Sequence, residues 1–238
     1  MSIPLYYYFD TIGKRSYMED RTTVISIKHL KVFIVMDGHG GEEVVSYAIR
    51  RLPELLNSVD LRDVNFLPSI SQIFLQLSQE LRSKGMGVNE GTTVTMALID
   101  DDIVYIVNLG DSRVVGWNGE LLESEDHTPK NPMEAQRLRA QKASIVNDRI
   151  LSGSVSLAVS RALGDFTVHG VTPMPQVYIW ERVEYLAIAS DGLWEKISSE
   201  EVMELMRTEE LSTVGGKLSK LDFRDNASFF LIDLKNID

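Results

Sequence analysis

The chain is patterned around residues 31–41, which read Lys-Val-Phe-Ile-Val-Met-Asp-Gly-His-Gly-Gly. Residues 32–36 are an unbroken apolar run rich in β-branched side chains, which predicts a strand buried on both faces that stops at Asp37. Shorter runs at 5–9 and 22–27 predict two more strands, on either side of a polar loop at 11–21. Residues 42–57 change to helical periodicity. Val44, Val45, Ala48, Ile49, Leu52 and Leu56 share one face there, and Glu42 and Glu43 sit in a first turn that favours negative charge. Pro53 lies inside this segment and predicts a kink or an early end, because it lacks an N–H and crowds the preceding turn. A second amphipathic helix is predicted over 66–84, where Phe66, Ile70, Ile73, Phe74, Leu77 and Leu81 recur at spacings of three and four.

After Gly87 the pattern turns to strands at 92–99, 103–109, 113–117 and 121–122. Their separators, Asp100-Asp101-Asp102, Gly110-Asp111-Ser112 and Asn118-Gly119, are turn residues at hairpin spacing and predict an antiparallel meander. Asn131-Pro132-Met133-Glu134 has the cap, first-turn proline and following acid of a helix start, which carries a helix to about residue 143. Residues 157–163 form a short apolar segment, and strands return at 177–180 and 184–189. Ser198-Ser199-Glu200-Glu201 is a capping box leading into a helix at 202–206. A weak helix over 211–221, interrupted by Gly215-Gly216, precedes a last strand at 228–234. Strands and helices are segregated along the chain, which predicts an α+β fold with two antiparallel sheets packed together and helices outside. No linker divides the sequence, so residues 1–238 are expected to form a single domain.

Composition narrows the function. An apolar content of 44% fits a globular protein with a proper core. The net charge of -11 argues against a general nucleic-acid binder or a binder of anionic membranes, and leaves carboxylates available to collect around cations. With no cysteine, disulfides and thiolate metal sites are excluded. Residues 1–15 lack the basic start and apolar run of a signal peptide, and no stretch approaches the ~18 apolar residues that span a bilayer. The expectation is a cytoplasmic or nuclear monomer without membrane or nucleic-acid partners.

The acids at strand ends carry the chemistry. Asp37 follows one buried strand and Asp191 follows another, each with a glycine next in sequence. Asp225 stands at the entrance of the last strand, Glu19-Asp20 precede the strand at 22–27, and Asp111 follows the strand at 103–109. Each has a plainer reading. Asp-Gly is a common turn pair, Asp111 is a good turn residue, Glu19-Asp20 fit a solvated loop, and Asp225 fits a cap. Together they can converge at one edge of a sheet sandwich, where so many carboxylates would repel one another without cations. Carboxylate, carbonyl and water ligands select Mg²⁺ or Mn²⁺ over zinc, and the four histidines are too scattered for a histidine cluster.

The ordered segments Arg15-Ser16-Tyr17-Met18-Glu19-Asp20, Met36-Asp37-Gly38-His39-Gly40-Gly41 and Gly91-Thr92-Thr93 then resemble those of metal-dependent protein Ser/Thr phosphatases of the 2C type. Asn108-Leu109-Gly110-Asp111-Ser112-Arg113, Asp126-His127-Thr128-Pro129 and the run from Leu157 to Asp165 continue the series. Ser190-Asp191-Gly192-Leu193-Trp194 and Arg224-Asp225-Asn226 close it, so the resemblance covers nearly the whole chain.

The resemblance implies an αββα sandwich of two antiparallel sheets flanked by helices, with two Mn²⁺ or Mg²⁺ ions at one end and a weaker third. It implies that Asp37 bridges the two ions, the Gly38 carbonyl and Glu19 serve one, and Asp191 and Asp225 serve the other. Asp111 and Asp191 would serve the third, where this chain has Glu195 in place of the family's frequent aspartate. By the same resemblance Asp20 orients a metal-bound water, Arg15 grips the phosphate and His39 is the general acid. The implied substrates are proteins phosphorylated on serine or threonine, attacked directly by water without a phospho-enzyme. Two rival readings on the same fold are an inactive relative serving as a regulatory scaffold and a Mg²⁺-dependent hydrolase of small phosphate esters. Retention of the full acid set favours an active phosphatase.

Overall fold

The computed structural model describes residues 5–58 and 66–235. One antiparallel sheet has the strand order Leu5–Thr11, Ala227–Asp233, Tyr185–Ala189, Arg113–Trp117, Leu121–Glu123. The other runs Leu163–Gly164, Gly91–Thr92, Leu30–His39, Val94–Asp100, Ile103–Leu109, Gln176–Glu181, and Asp20–Ile27 also pairs with Leu30–His39. Side-chain alternation divides the core into layers. Phe33 and Val35 meet Leu186, Ile188, Phe230 and Ile232 between the two sheets. Val32, Ile34 and Met36 turn the other way and pack beneath the helices Glu43–Ser58 and Phe66–Ser83. On the far side Ala187, Ala189, Phe229 and Leu231 lie under Ser199–Thr208 and Leu211–Leu218. The result is the expected αββα sandwich, with the central strands buried on both faces.

Several local expectations are corrected. The central strand does not stop at Asp37 but reaches His39, because Gly38 and His39 find partners in Thr92 and Gly91. The first helix passes through Pro53 to Ser58, where burial of Leu55 and Leu56 outweighs the lost backbone bond. The Gly215-Gly216 pair does not interrupt its helix. Gly215 instead lets the helix approach Tyr7, whose ring would lie 2.3 Å from an added Cβ. The capping box at Ser198 is present. At the other predicted start Asn131 accepts from the Met133 N–H, but Glu134 does not close a box, because it is buried against Arg161 and Arg137.

The predicted meander is the largest correction. Val94–Asp100 and Ile103–Leu109 form a hairpin, but Arg113–Trp117 does not return beside them. It joins the other sheet, paired with Tyr185–Ala189. Gly110-Asp111-Ser112 is therefore a crossing between sheets and not a hairpin turn. A small third sheet of Ser144–Val146, Arg149–Ser152 and Val155–Leu157, absent from the sequence reading, stands apart from the sandwich. Among the described residues, no helix is long and apolar enough to cross a membrane.

Candidate active site

The acids meet at one end of the sandwich. Arg15, Glu19, Asp37, Gly38, His39, Asp111, Asp191 and Asp225 all line a single cleft of about 710 Å³. The small third sheet overhangs it through Asn147, Asp148 and Arg149. Asp20, paired in register with Asp37, is buried behind this lining. Every residue expected at the site is thus brought to one place, and Glu195 lines the same cleft.

Backbone contacts set the positions. Asp37 is locked on both sides: its N–H donates to Thr93 Oγ1 at 3.0 Å, and its carbonyl accepts from the Thr93 N–H at 2.9 Å. At Gly38 a Cβ would sit 2.7 Å from the Glu19 carbonyl oxygen, so only glycine lets the Glu19 loop close over the strand. Asn226 ties that loop to the last strand. Its side chain accepts from the Glu19 N–H at 2.8 Å and donates to the carbonyls of Ile12 and Tyr17 at 2.9 and 3.0 Å. The sheet crossing is fixed by Thr93 and Ser112, whose hydroxyls lie 2.8 Å apart. It is fixed also by His127, whose Nδ1 accepts from the Gly110 N–H at 3.1 Å. Burial pushes the His127 imidazole down to about 4, so it stays neutral and structural.

The electrostatics are those of crowded acids. Burial lifts Asp37 well above the usual carboxylate range, and Asp20, Asp191 and Asp111 add to the rise. Asp111 is pushed up to about 7 by burial and by Asp191, and Asp191 to about 6 by burial and by Asp225. Asp20 is pushed up to about 7 by burial, although the Ser190 hydroxyl donates to its Oδ2 at 2.8 Å. Among the described residues its buried Oδ1 has no hydrogen-bond partner. The cations lining the cleft are Arg15, Lys130 and Arg149, and Arg15 pairs with Asp225, while Glu19 accepts from the Gly41 N–H at 2.8 Å. Among the described residues, no three acidic or imidazole groups stand close enough together to hold a metal ion as they are placed. An all-oxygen donor set, mutual repulsion and an orphaned buried carboxylate oxygen nonetheless fit hard divalent cations.

Two site residues escaped sequence reasoning. Asn226 stands beside Asp225 in the segment that closes the resemblance, with no role attached to it. Asp165, whose Oδ2 lies 2.7 Å from His39 Nε2, stood in a quoted motif but was given no role. Burial by itself would lower the His39 pKa, but the Asp165 carboxylate together with Asp111 and Glu19 outweighs it and holds the imidazole above its ordinary value.

The family model for protein phosphatase 2C matches residues 14–224. The chain belongs to the protein phosphatase 2C family. It is 30% identical over 266 residues to human protein phosphatase 1A, covering 94% of this chain and 69% of that protein. It is 32% identical over 234 residues to human protein phosphatase 1B, covering 82% of this chain and 48% of that protein. Among solved structures, the serine/threonine phosphatase Stp1 from Staphylococcus aureus aligns with a TM-score of 0.72 at 20% identity, over 98% of this chain and 95% of that one. The serine-threonine phosphatase 2C from Toxoplasma gondii aligns with a TM-score of 0.69 at 20% identity, over 97% and 98%. The fold of this 2C-family chain is that of these structures.

Proposed function

We propose that this chain is an active, divalent-metal-dependent phosphatase of phosphoserine and phosphothreonine in proteins, and not an inactive scaffold. The observation that carries the reading is the convergence of Glu19, Asp37, Asp111, Asp191 and Asp225 on one cleft that also holds Arg15 and His39. A scaffold has no need to keep the buried Asp20 and the half-buried Asp37, Asp111 and Asp191 under mutual repulsion at one cleft. Asp37, Glu19, Asp191, Asp225 and the Gly38 carbonyl would hold two Mg²⁺ or Mn²⁺ ions, and Asp111 would serve a weaker third with Asp191. Such ions, when bound, neutralise the acids and supply a water nucleophile near neutral pH.

The chain's own residues do the rest. Arg15 presents a planar donor fork matched to two phosphate oxygens. Its side chain is 58% exposed at the cleft, so it can meet a phosphate on a protein surface while Asp225 restrains it. Water attack on phosphorus breaks the P–O bond to serine or threonine. The departing alkoxide is strongly basic, and His39 delivers the proton it needs. Asp20, buried beneath the cleft with one free acceptor oxygen, orients water from below.

The deciding experiment is turnover of a phosphothreonine peptide by the purified chain with Mn²⁺, with Mg²⁺ and after thorough chelation. Turnover restricted to the metal-loaded samples is expected. Activity that survives chelation would remove the mechanism, and no activity with either metal would favour the scaffold.

A further inference from the structure

We propose that Asp165 is a positioning residue that holds His39 in the tautomer and orientation needed to protonate the leaving group, a role that rests on the phosphatase reading above. His39 and Asp165 are far apart in sequence but meet through three strand edges, since Gly91 is the register partner of both His39 and Gly164. The Asp165 carboxylate is 1% exposed and the His39 side chain 27%. The imidazole therefore has one nitrogen anchored inside the protein while the ring borders the cleft. Among the described residues, Asp165 is the one partner found for the ring, through Nε2 at 2.7 Å.

The surroundings are shaped around this pair. A Cβ on Gly91 would lie 2.1 Å from Asp165 Oδ2 and 2.6 Å from His39 Nε2, so any larger residue would occupy the space of the hydrogen bond. Asp165 itself adopts a left-handed backbone with φ of 52°, a conformation that costs a non-glycine residue about 1 kcal/mol. It is held there by its N–H donating to the Glu90 carbonyl at 3.0 Å and by its carbonyl accepting from the Val168 N–H at 2.9 Å. Strain fixed by the fold at a buried acid, aimed at a ring that borders the cleft, is the arrangement expected of a group that orients another.

The chemistry follows from hydrogen-bond polarity. A carboxylate only accepts, so it keeps the proton on Nε2 and leaves Nδ1 as the nitrogen that gives up a proton to the alkoxide oxygen and regains one from water. The proton moves from Nδ1 to the departing serine or threonine oxygen, and the neutral Nε2–H ring stays bound to Asp165. Asparagine at 165 can instead donate through its amide and stabilise the wrong tautomer.

The test combines kinetics with nitrogen-15 NMR of the imidazole in the metal-loaded protein. Asp165→Asn is expected to lower kcat on a phosphothreonine peptide by about 10- to 100-fold, with KM nearly unchanged. It should affect p-nitrophenyl phosphate far less, since that leaving group needs no proton. In a His39→Ala background the same substitution should change kcat less than about twofold, because effects that act through one group do not add. The wild-type His39 spectrum should show a protonated Nε2, a readout independent of whether Asp165→Asn folds. A wild-type ring protonated only on Nδ1, or a loss as large in the His39→Ala background as in wild type, would overturn the role of Asp165 alone. A wild-type chain with no metal-dependent turnover would overturn the phosphatase reading and this role with it.

Discussion

Gly192 is packed so tightly against the carbonyl of Asn226 that a Cβ would lie 2.0 Å from its oxygen. This approach brings Asp191, just past the end of one strand, beside Asp225, just before the start of its neighbour. The glycine after each strand-end acid is thus a spacing device, as Gly38 is against Glu19. Gly192→Ala should separate the two acids and destabilise the fold by about 1–3 kcal/mol through overpacking. The check is the thermal midpoint with and without Mn²⁺: the increment given by the metal should shrink strongly. An unchanged increment would show that the Asp191–Asp225 spacing is not needed for binding.

On the proposed function, a metal bound at the acid cluster should stabilise the fold. Asp37 is pushed upward by burial and by Asp20, Asp191 and Asp111. Asp37→Asn should therefore raise the midpoint of the metal-free protein, by relieving repulsion, while abolishing turnover. Mass action predicts that Mg²⁺ or Mn²⁺ raises the wild-type midpoint in a concentration-dependent way. The variant should lose most of that rise. Calorimetry on chelated and titrated samples reads both effects.

His127 gives a pH dependence with a definite sign. Its folded pKa of about 4 lies below the ordinary value of 6.5, so the unfolded chain binds more protons between these pH values. Stability from this group is fully present above pH 6.5 and is lost as pH falls toward 4, by about 1.4 kcal/mol per pH unit at most. His127→Asn keeps an acceptor for the Gly110 N–H but removes the titration. Urea unfolding of both proteins at matched pH should show their difference in stability narrowing as pH falls from 6.5. A constant difference would rule His127 out as the source.

Arg15 is exposed, and its pairing with Asp225 contributes little to stability. Arg15→Ala should leave the midpoint within a few tenths of a degree to a few degrees while weakening turnover of phosphopeptides by tenfold or more, mostly in KM. Arg15→Lys should recover only part, since an ammonium cannot match two oxygens at once. Steady-state kinetics on one peptide series separates these outcomes.

The sequence by itself settled which faces are buried. Val32 to Met36 and the strand before Asp191 lack polar alternation, and that alone required sheets covered on both sides. It also supplied the acids, because their types and order are covalent facts and select hard cations on chemistry alone. Local pattern does not record which strand a strand pairs with. Arg113–Trp117 therefore looked like the next arm of a meander, when it crosses to the other sheet and carries Asp111 into the cleft. Pro53 and the Gly215-Gly216 pair looked like breaks, and packing of Leu55, Leu56 and Tyr7 overrode both. Only the tertiary structure made Asp165 the neighbour of His39, because their contact depends on two strands both pairing with Gly91. Periodicity encodes burial, whereas convergence depends on long-range backbone pairing, and that pairing builds the cleft.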